Sequence, residues 1–330
     1  MTPKSPPIVL MTHTLPEEWI STLEERCKLF VGPIDATEWD PILIDLLPQA
    51  EGLFTLLTIP VTETVLSKSP NLRVVSNMAV GVDNIDIKAC SRRKIPVGNT
   101  PGVLTESTAD LTMALLLSIA RNIPQASLDA REGRWKTWSP SGWLGMELNG
   151  ITLGIIGMGK IGKAVARRAM GFGMKIMFSD TETRNELNAI QVPLEELLKK
   201  SDIISLHTPL TQDTRGMINQ YTLSLMKPSA ILINAARGQL VDTHAVVDGL
   251  VNHKIAAAAL DVTDPEPLPP THPLYNLPNC LIVPHIGSAT RQTRRKMAEL
   301  ACKNLLAGLE GKPLPYCVNP EVYSVVQKRG

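Results

Sequence analysis

The segment from Thr152 to Asp180, TLGIIGMGKIGKAVARRAMGFGMKIMFSD, constrains the fold of this chain more than any other. Its apolar run TLGII is typical of a buried strand, KIGKAVARRA has the periodicity of a helix, and MKIMF predicts a second strand. A strand, a helix and a strand within about 30 residues form a βαβ unit, in which the two strands lie parallel. The chain is therefore expected to contain a parallel sheet covered by helices.

Three glycines, Gly157, Gly159 and Gly162, stand in GxGxxG spacing where the first strand passes into the helix. The first glycine permits a tight turn, the second lets the backbone approach a pyrophosphate, and the third lets helix and strand pack closely. The N-terminus of the helix offers unpaired N–H groups to an anion. This context predicts a dinucleotide site, and a glycine-rich turn without a ligand is the alternative.

Asp180 ends the second strand, roughly 20 residues after the loop, where a carboxylate accepts hydrogen bonds from the adenosine ribose. Such a carboxylate repels a 2′-phosphate, so that NAD is favoured over NADP. Arg184 can bind a 2′-phosphate, so that NADPH stays an alternative cofactor. The alternative for Asp180 is that it is a solvated acid in a loop.

At 330 residues the chain is expected to form two domains. Short strands and helices alternate over the first hundred residues, which predicts a small α/β domain. The last helix, ATRQTRRKMAELACKNLLAGLEG, has no sheet after it and is expected to pack on that domain. The prediction is a domain of residues 1–102 and 288–330, interrupted by a doubly wound dinucleotide-binding domain of residues 103–287.

Composition argues against several other classes of protein. The 33 basic and 32 acidic residues are well mixed, and no basic stripe suggests nucleic acid. The run MALLLSIA is too short to span a bilayer. No His, Cys, Asp or Glu residues have the spacing of metal ligands. Five scattered cysteines without a CxxC pair indicate reduced thiols in the cytoplasm.

Three later strands are each followed by a residue of a type common in active sites. These residues are Arg237 in INAARG, Glu266 in LDVTDPEP and His285 in VPHIGSAT. Ligands of open α/β sheets bind at the carboxyl ends of the strands. A cation, an acid and an imidazole there suit a carbonyl compound that bears a carboxylate. A structural role with satisfied ring nitrogens is the alternative for His285.

Several segments together resemble the D-isomer-specific 2-hydroxyacid dehydrogenases over essentially the whole chain. They are AVGVDNID, GNTPGVLTESTADLTMALLLSIAR, GIIGMGKIGKAVARRAMGFGMKI, INAARGQLVDTHAVVDGL, ALDVTDPEP and NCLIVPHIGSAT. The resemblance implies a Rossmann-type domain inserted into a smaller flavodoxin-like substrate domain. It also implies that the enzyme transfers a hydride between NAD(P)H and a small 2-keto acid.

The same resemblance implies a role for each residue of the site. Arg237 would bind the substrate carboxylate and carbonyl oxygen, His285 would be the general acid, and Glu266 would hold the other imidazole nitrogen. Backbone N–H groups of Val80 and Gly81 would bind the substrate carboxylate. The residues expected at the cofactor are Thr105, Gly157, Met158, Gly159, Lys160, Ile161, Gly162, Asp180, His207, Thr208, Pro209, Ala235, Ala236, Arg237, Asp261, His285 and Gly287. His207 is interpreted as a wall of the cofactor pocket and not as a second catalytic histidine.

The loop that carries three of the five tryptophans is most similar to that of glyoxylate and hydroxypyruvate reductases. Trp138 is expected at the substrate, but Trp143 lies one position from the pattern, which leaves open which of the two contacts it. A homodimer is expected through the helix 106–122 and the loop 131–149, and the tryptophans can also serve that contact.

Two groups of alternatives stay open at this point. D-lactate, other D-2-hydroxyacid and phosphite dehydrogenases share the Arg–Glu–His set, although the MAVGVD loop has no cation for a second anion. Some dinucleotide-sensing corepressors resemble the family and act through protein partners. The direction of the reaction and the ratio of NADH to NADPH use are equally open.

Overall fold

The computed structural model describes residues 5–186 and 188–323, which form two compact units. One unit contains the residues up to Leu104 together with those from Thr290 onward, and the other is Thr105–Ala289. No helix in the described ranges has both the length and the apolar character needed to cross a membrane.

The described residues form twelve strands and eleven α-helices. The strands are β1 Ile8–Met11, β2 Lys28–Val31, β3 Gly52–Thr55, β4 Val74–Asn77, β5 Val97–Gly98, β6 Thr152–Ile156, β7 Lys175–Ser179, β8 Ala189–Gln191, β9 Ile203–Leu206, β10 Ile231–Asn234, β11 Ala257–Leu260 and β12 Cys280–Ile282. The helices are α1 Glu17–Glu24, α2 Pro41–Leu46, α3 Glu63–Ser67, α4 Ile87–Arg92, α5 Thr105–Ala120, α6 Ile123–Arg131, α7 Lys160–Gly171, α8 Leu194–Lys200, α9 Gln220–Ser224, α10 Thr243–Val251 and α11 Arg291–Leu309.

The first unit is built on a parallel sheet with the strand order β2-β1-β3-β4-β5. This is the order of flavodoxin-like folds, as expected from the resemblance. Alternate side chains of the strands enter two cores, so that Val9 packs in one and Leu10 in the other. Helix α11 covers the first core with Ala298, Ala301 and Leu305, which places the C-terminal helix on the N-terminal sheet as predicted.

The second unit contains a seven-stranded parallel sheet with the order β12-β11-β10-β9-β6-β7-β8. The chain enters at β6 in the middle, winds outward through β7 and β8, and returns to continue through β9 to β12. Ile155 and Ile203 pack on one face and Ile204 and Leu232 on the other, so helices cover both faces. The predicted doubly wound Rossmann-type sheet is confirmed.

The long apolar helix expected from residue 106 is α5, which ends at Ala120. Helix α6, which the sequence did not predict, follows after Asn122 in the left-handed region at φ 50°. Pro124 lies in the first turn of α6, where the missing N–H of proline costs nothing because that N–H would have no helical partner. Pro124 therefore opens a second helix after the first has ended.

Candidate active site

Strands β10, β11 and β12 lie side by side in the second unit, and each is followed by one residue of the predicted set. Arg237 follows β10, Glu266 follows β11 and His285 follows β12. Because the three strands are parallel, their carboxyl ends share one edge of the sheet. The fold thereby brings to one edge segments that are up to 48 positions apart in sequence.

His285 and Glu266 are in direct contact. The imidazole Nδ1 lies 2.5 Å from Oε1 of Glu266, and the two side chains are 26% and 33% exposed. In the described part of the chain, Nε2 of His285 has no hydrogen-bond partner. A carboxylate on Nδ1 selects the tautomer with its proton there and orients Nε2 toward a ligand. This arrangement is that of a general acid or base held by a carboxylate.

Asp261 holds the segment that carries His285. This residue is 2% exposed, and its carboxylate accepts hydrogen bonds from the backbone N–H groups of Ile286 at 2.6 Å and Gly287 at 2.9 Å. The N–H of His285 donates to the carbonyl oxygen of Asp261 at 2.9 Å. Burial raises the pKa of Asp261, although these hydrogen bonds and the nearby His285 oppose the rise.

The backbone of His285 has φ 50°, a left-handed conformation that is uncommon outside glycine. The hydrogen bonds that the carboxylate and the carbonyl oxygen of Asp261 accept from residues 285–287 hold this conformation. The resemblance implied that Asp261 contacts the cofactor, and the structure shows that its carboxylate accepts hydrogen bonds from the backbone next to the imidazole.

Arg237 lies in a turn that a buried asparagine closes. Asn234, the last residue of β10, donates to the carbonyl oxygen of Arg237 at 2.8 Å and accepts from the N–H of Ala236 at 3.1 Å. A Cβ on Gly238 would lie 1.8 Å from the carbonyl oxygen of Thr263, so only glycine allows this turn to pack against the segment after β11. Sequence analysis missed Asn234, although a polar residue that ends the apolar run ILIN is a visible signal.

The glycine-rich loop has the geometry that a pyrophosphate requires. Gly157 has φ +95°, and a Cβ there would lie 2.7 Å from the backbone of His207. A Cβ on Gly162 would lie 2.2 Å from the carbonyl oxygen of Gly157, whereas none of the described atoms lies within 4 Å of a Cβ on Gly159. No side chain of the described residues caps α7, so no side chain satisfies its first N–H groups. These features suit a bound dinucleotide phosphate.

Asp180 follows β7 and is already an acceptor of several hydrogen bonds. Burial opposes its ionisation, but donors on the backbones of Glu182 and Met158 and the guanidinium of Arg184 outweigh it and lower the pKa of Asp180. Oδ2 accepts from Met158 at 2.8 Å and from Arg184 at 3.0 Å, while Oδ1 accepts from Glu182 at 3.1 Å. Each carboxylate oxygen has two lone pairs, so Oδ1 keeps one for a ribose hydroxyl.

His207 follows β9 next to the glycine loop. Its N–H donates to the carbonyl oxygen of Ile156 at 2.8 Å, and its Nε2 lies 2.8 Å from the hydroxyl oxygen of Ser205. Burial lowers the pKa of His207 to about 4, so the ring is neutral near pH 7. The imidazole is thus a neutral, hydrogen-bonded group beside the glycine-rich loop. Thr208 is half-buried and Pro209 exposed immediately after it.

The other predicted residues lie in several places. Val80 and Gly81 belong to the first unit, in the turn between β4 and α4, and Thr105 is the first residue of α5. Trp138 is 80% exposed, whereas the indole N–H of Trp143 donates to Asp129 at 2.8 Å. Within residues 5–186 and 188–323, no three His, Cys, Asp or Glu side chains are placed to hold a metal ion.

A doubly wound sheet with this loop and an imidazole–carboxylate pair at its carboxyl edge defines a nicotinamide dinucleotide oxidoreductase. Residues 113–287 match the family model for the D-isomer specific 2-hydroxyacid dehydrogenase NAD binding domain. A protein of Korarchaeum cryptofilum named glyoxylate reductase is 45% identical over 324 residues, 97% of this chain and 98% of that protein. The chain therefore belongs to the D-isomer-specific 2-hydroxyacid dehydrogenase family.

Solved structures agree with this assignment. A protein from Thermus thermophilus is 48% identical with a TM-score of 0.89, over 94% of this chain and 99% of that one. An NADPH-dependent glyoxylate/hydroxypyruvate reductase from Sinorhizobium meliloti, solved with NADP and malonate, is 32% identical with a TM-score of 0.84, over 96% and 98%. The cofactor of this chain is accordingly a nicotinamide dinucleotide.

The low pKa of His207 leads to a prediction about stability. Between its ordinary pKa of 6.5 and about 4, the unfolded chain binds a proton at this residue that the folded chain does not. The free energy of unfolding should therefore fall as the pH drops through this range. His207→Gln should flatten that fall in urea unfolding curves measured from pH 7 to pH 4. His244→Gln, at an exposed histidine, is the control, and an equal fall in both variants would contradict the assignment.

Proposed function

We propose that this enzyme reduces glyoxylate or hydroxypyruvate to the 2-hydroxy acid with NAD(P)H. The observation that carries the proposal is the 2.5 Å contact between His285 Nδ1 and Glu266 Oε1, at the strand edge that also bears Arg237. The choice of substrate is supported by the names of relatives that match nearly the full length of the chain.

In the proposed mechanism, bound NAD(P)H supplies the hydride to C2 of the keto acid. His285 donates the proton on Nε2 to the carbonyl oxygen, which becomes the hydroxyl, and then recovers a proton from solvent. Glu266 stabilises the imidazolium and fixes its orientation. Arg237 binds the carboxylate and the carbonyl oxygen with a planar, permanently charged group. In the oxidative direction His285 accepts the proton.

The two units have different roles in this proposal. Residues 105–289 bind the dinucleotide through the glycine loop, Asp180 and the strand ends described above. The first unit binds substrate, with the N–H groups of Val80 and Gly81 on the carboxylate. Glycine at 81 supports this role, because close approach of a ligand to the backbone favours the absence of a side chain.

Replacement of His285 tests the catalytic assignment. His285→Ala should lower kcat with NADH and glyoxylate or hydroxypyruvate by about 10²- to 10⁴-fold, the usual contribution of a general acid. Binding of NADH, followed by its fluorescence, should persist. His244→Ala is the matched control and should keep wild-type turnover. Failure of the wild-type enzyme to oxidise NADH with any small 2-keto acid would refute the proposed function, and loss of NADH binding in His285→Ala would refute the role of His285.

We further propose that NADH is the preferred cofactor, because Asp180 presents a carboxylate where the ribose hydroxyls bind. Asp180→Asn should lower kcat/KM for NADH by about tenfold, the scale of one charged hydrogen bond, and raise the ratio of NADPH to NADH efficiency. Arg184, freed from one of its two carboxylate partners, would then be available to a 2′-phosphate. Glu182→Gln, which removes its other partner, is the control and should change the ratio less. An unchanged ratio in Asp180→Asn would contradict the proposal.

We also propose that the enzyme forms a homodimer through residues 106–122, which include most of α5, and residues 131–149. Trp135, Trp138 and Leu144 in this loop are 62%, 80% and 70% exposed, and exposed apolar groups of this size mark interaction surfaces. Sedimentation equilibrium should give twice the mass of the chain, and Trp138→Ala should weaken the dimer or the binding of substrate. A monomer at micromolar concentration would refute this assembly.

A further inference from the structure

In the turn after β4, residues 78–84, the carbonyl groups and the N–H groups differ in their hydrogen bonding. The carbonyl oxygen of Ala79 accepts from the N–H of Thr100 at 2.8 Å. The carbonyl oxygen of Val80 accepts from the side-chain amide of Asn99 at 2.8 Å, and that of Gly81 accepts from the side-chain amide of Asn77 at 2.9 Å. Three consecutive carbonyl groups are thus bound from within the first unit.

The N–H groups of the same peptides are in the opposite situation. Across the residues that the structure describes, the N–H groups of Val80, Gly81 and Val82 donate no hydrogen bond. In a trans peptide the N–H points away from the carbonyl oxygen that precedes it. A donor that holds the carbonyl of residue 80 therefore fixes the direction of the N–H of residue 81, and one that holds the carbonyl of residue 81 fixes the N–H of residue 82.

We propose that Asn99 and Asn77 are positioning residues for the binding of the substrate carboxylate. Asn99 orients the N–H of Gly81, and Asn77 orients the N–H of Val82, which becomes a third donor beside those of Val80 and Gly81. Consecutive N–H groups that converge on one side form a site for an anion. The inference deepens the proposed function, since it rests on a carboxylate as the ligand of this turn.

The two asparagines are supported to different degrees. Asn77 is fully buried, and its amide is held on both sides, because its oxygen accepts from the hydroxyl of Thr55 at 2.9 Å and its nitrogen lies 3.2 Å from Oδ1 of Asn84. Asn84 in turn donates to the carbonyl oxygen of Leu56 at 3.0 Å. Asn99 is half-buried, and its own carbonyl oxygen accepts from Asn304 at 2.9 Å. Replacement of Asn99 therefore disturbs the folded core much less than replacement of Asn77.

The test compares Asn99→Ala with Asn71→Ala. Asn71 is an exposed asparagine of the same unit, and its amide also donates to a backbone carbonyl oxygen, that of Pro48, at 2.8 Å. Asn99→Ala should raise KM for glyoxylate about fivefold or more, with kcat within about twofold and KM for NADH unchanged, because a binding interaction is loosened without a change at the reacting atoms. Asn71→Ala should match the wild-type enzyme.

Asn99→Asp separates hydrogen bonding from size. The carboxylate has the shape of the amide but no donor, and it would face the carbonyl oxygen of Val80. KM should therefore rise more than in Asn99→Ala, whereas a merely space-filling role predicts that Asp behaves like Asn. Asn77→Asp should raise KM in the same way, and if this buried variant does not fold, the Asn99 variants still decide the outcome.

Hydrogen–deuterium exchange gives a readout that does not depend on turnover. Peptides that contain Thr100, whose N–H donates to the carbonyl oxygen of Ala79, should exchange faster in Asn99→Ala than in the wild-type enzyme, and at the wild-type rate in Asn71→Ala. Equal KM values for the Asn99 and Asn71 variants in an active enzyme would overturn the inference. If the wild-type enzyme reduces no 2-keto acid, the proposed function fails, and unchanged exchange in Asn99→Ala would then overturn the positioning role separately.

Discussion

Parallel pairing of the seven strands in the second unit is the constraint on which its chemistry depends. Every strand of that sheet ends on the same edge, so the segments after β6, β7 and β9 to β12 all begin there. Parallel pairing alone therefore places three features at one edge of the sheet: the glycine loop, Asp180 and the imidazole–carboxylate pair. Strands β9, β10 and β11 are stabilised by burial on both faces, and the charged residues of the predicted site follow the strands.

Short-range hydrogen bonds then determine how each functional group is presented. Asp261 binds the backbone after His285 from the neighbouring strand and supports a left-handed residue that isolated chains avoid. Asn234 closes the turn that bears Arg237. In both cases a buried polar side chain at a strand end satisfies backbone groups of a segment that bears a predicted site residue.

The first unit also has a buried polar side chain at a strand end that binds a backbone group. Asn77 ends a buried strand, as Asn234 does, and its amide donates to the carbonyl oxygen of Gly81, which shares a peptide with the N–H of Val82. Helix α11 returns to this unit and contributes Asn304, which binds the backbone of Asn99. The C-terminal helix is thereby connected to the turn of residues 78–84 as well as to the apolar core.

The sequence by itself determined the βαβ unit, the glycine loop, the residues that end the strands and the return of the last helix, because periodicity and glycine spacing are local properties. It did not predict β2 and β8, which are short edge strands with partly exposed residues. Only the tertiary structure placed β10, β11 and β12 side by side and brought Asp261 to residues 286 and 287 and Asn99 to Val80. Those contacts join residues far apart in the chain, so their geometry depends on where the sheet places each backbone atom.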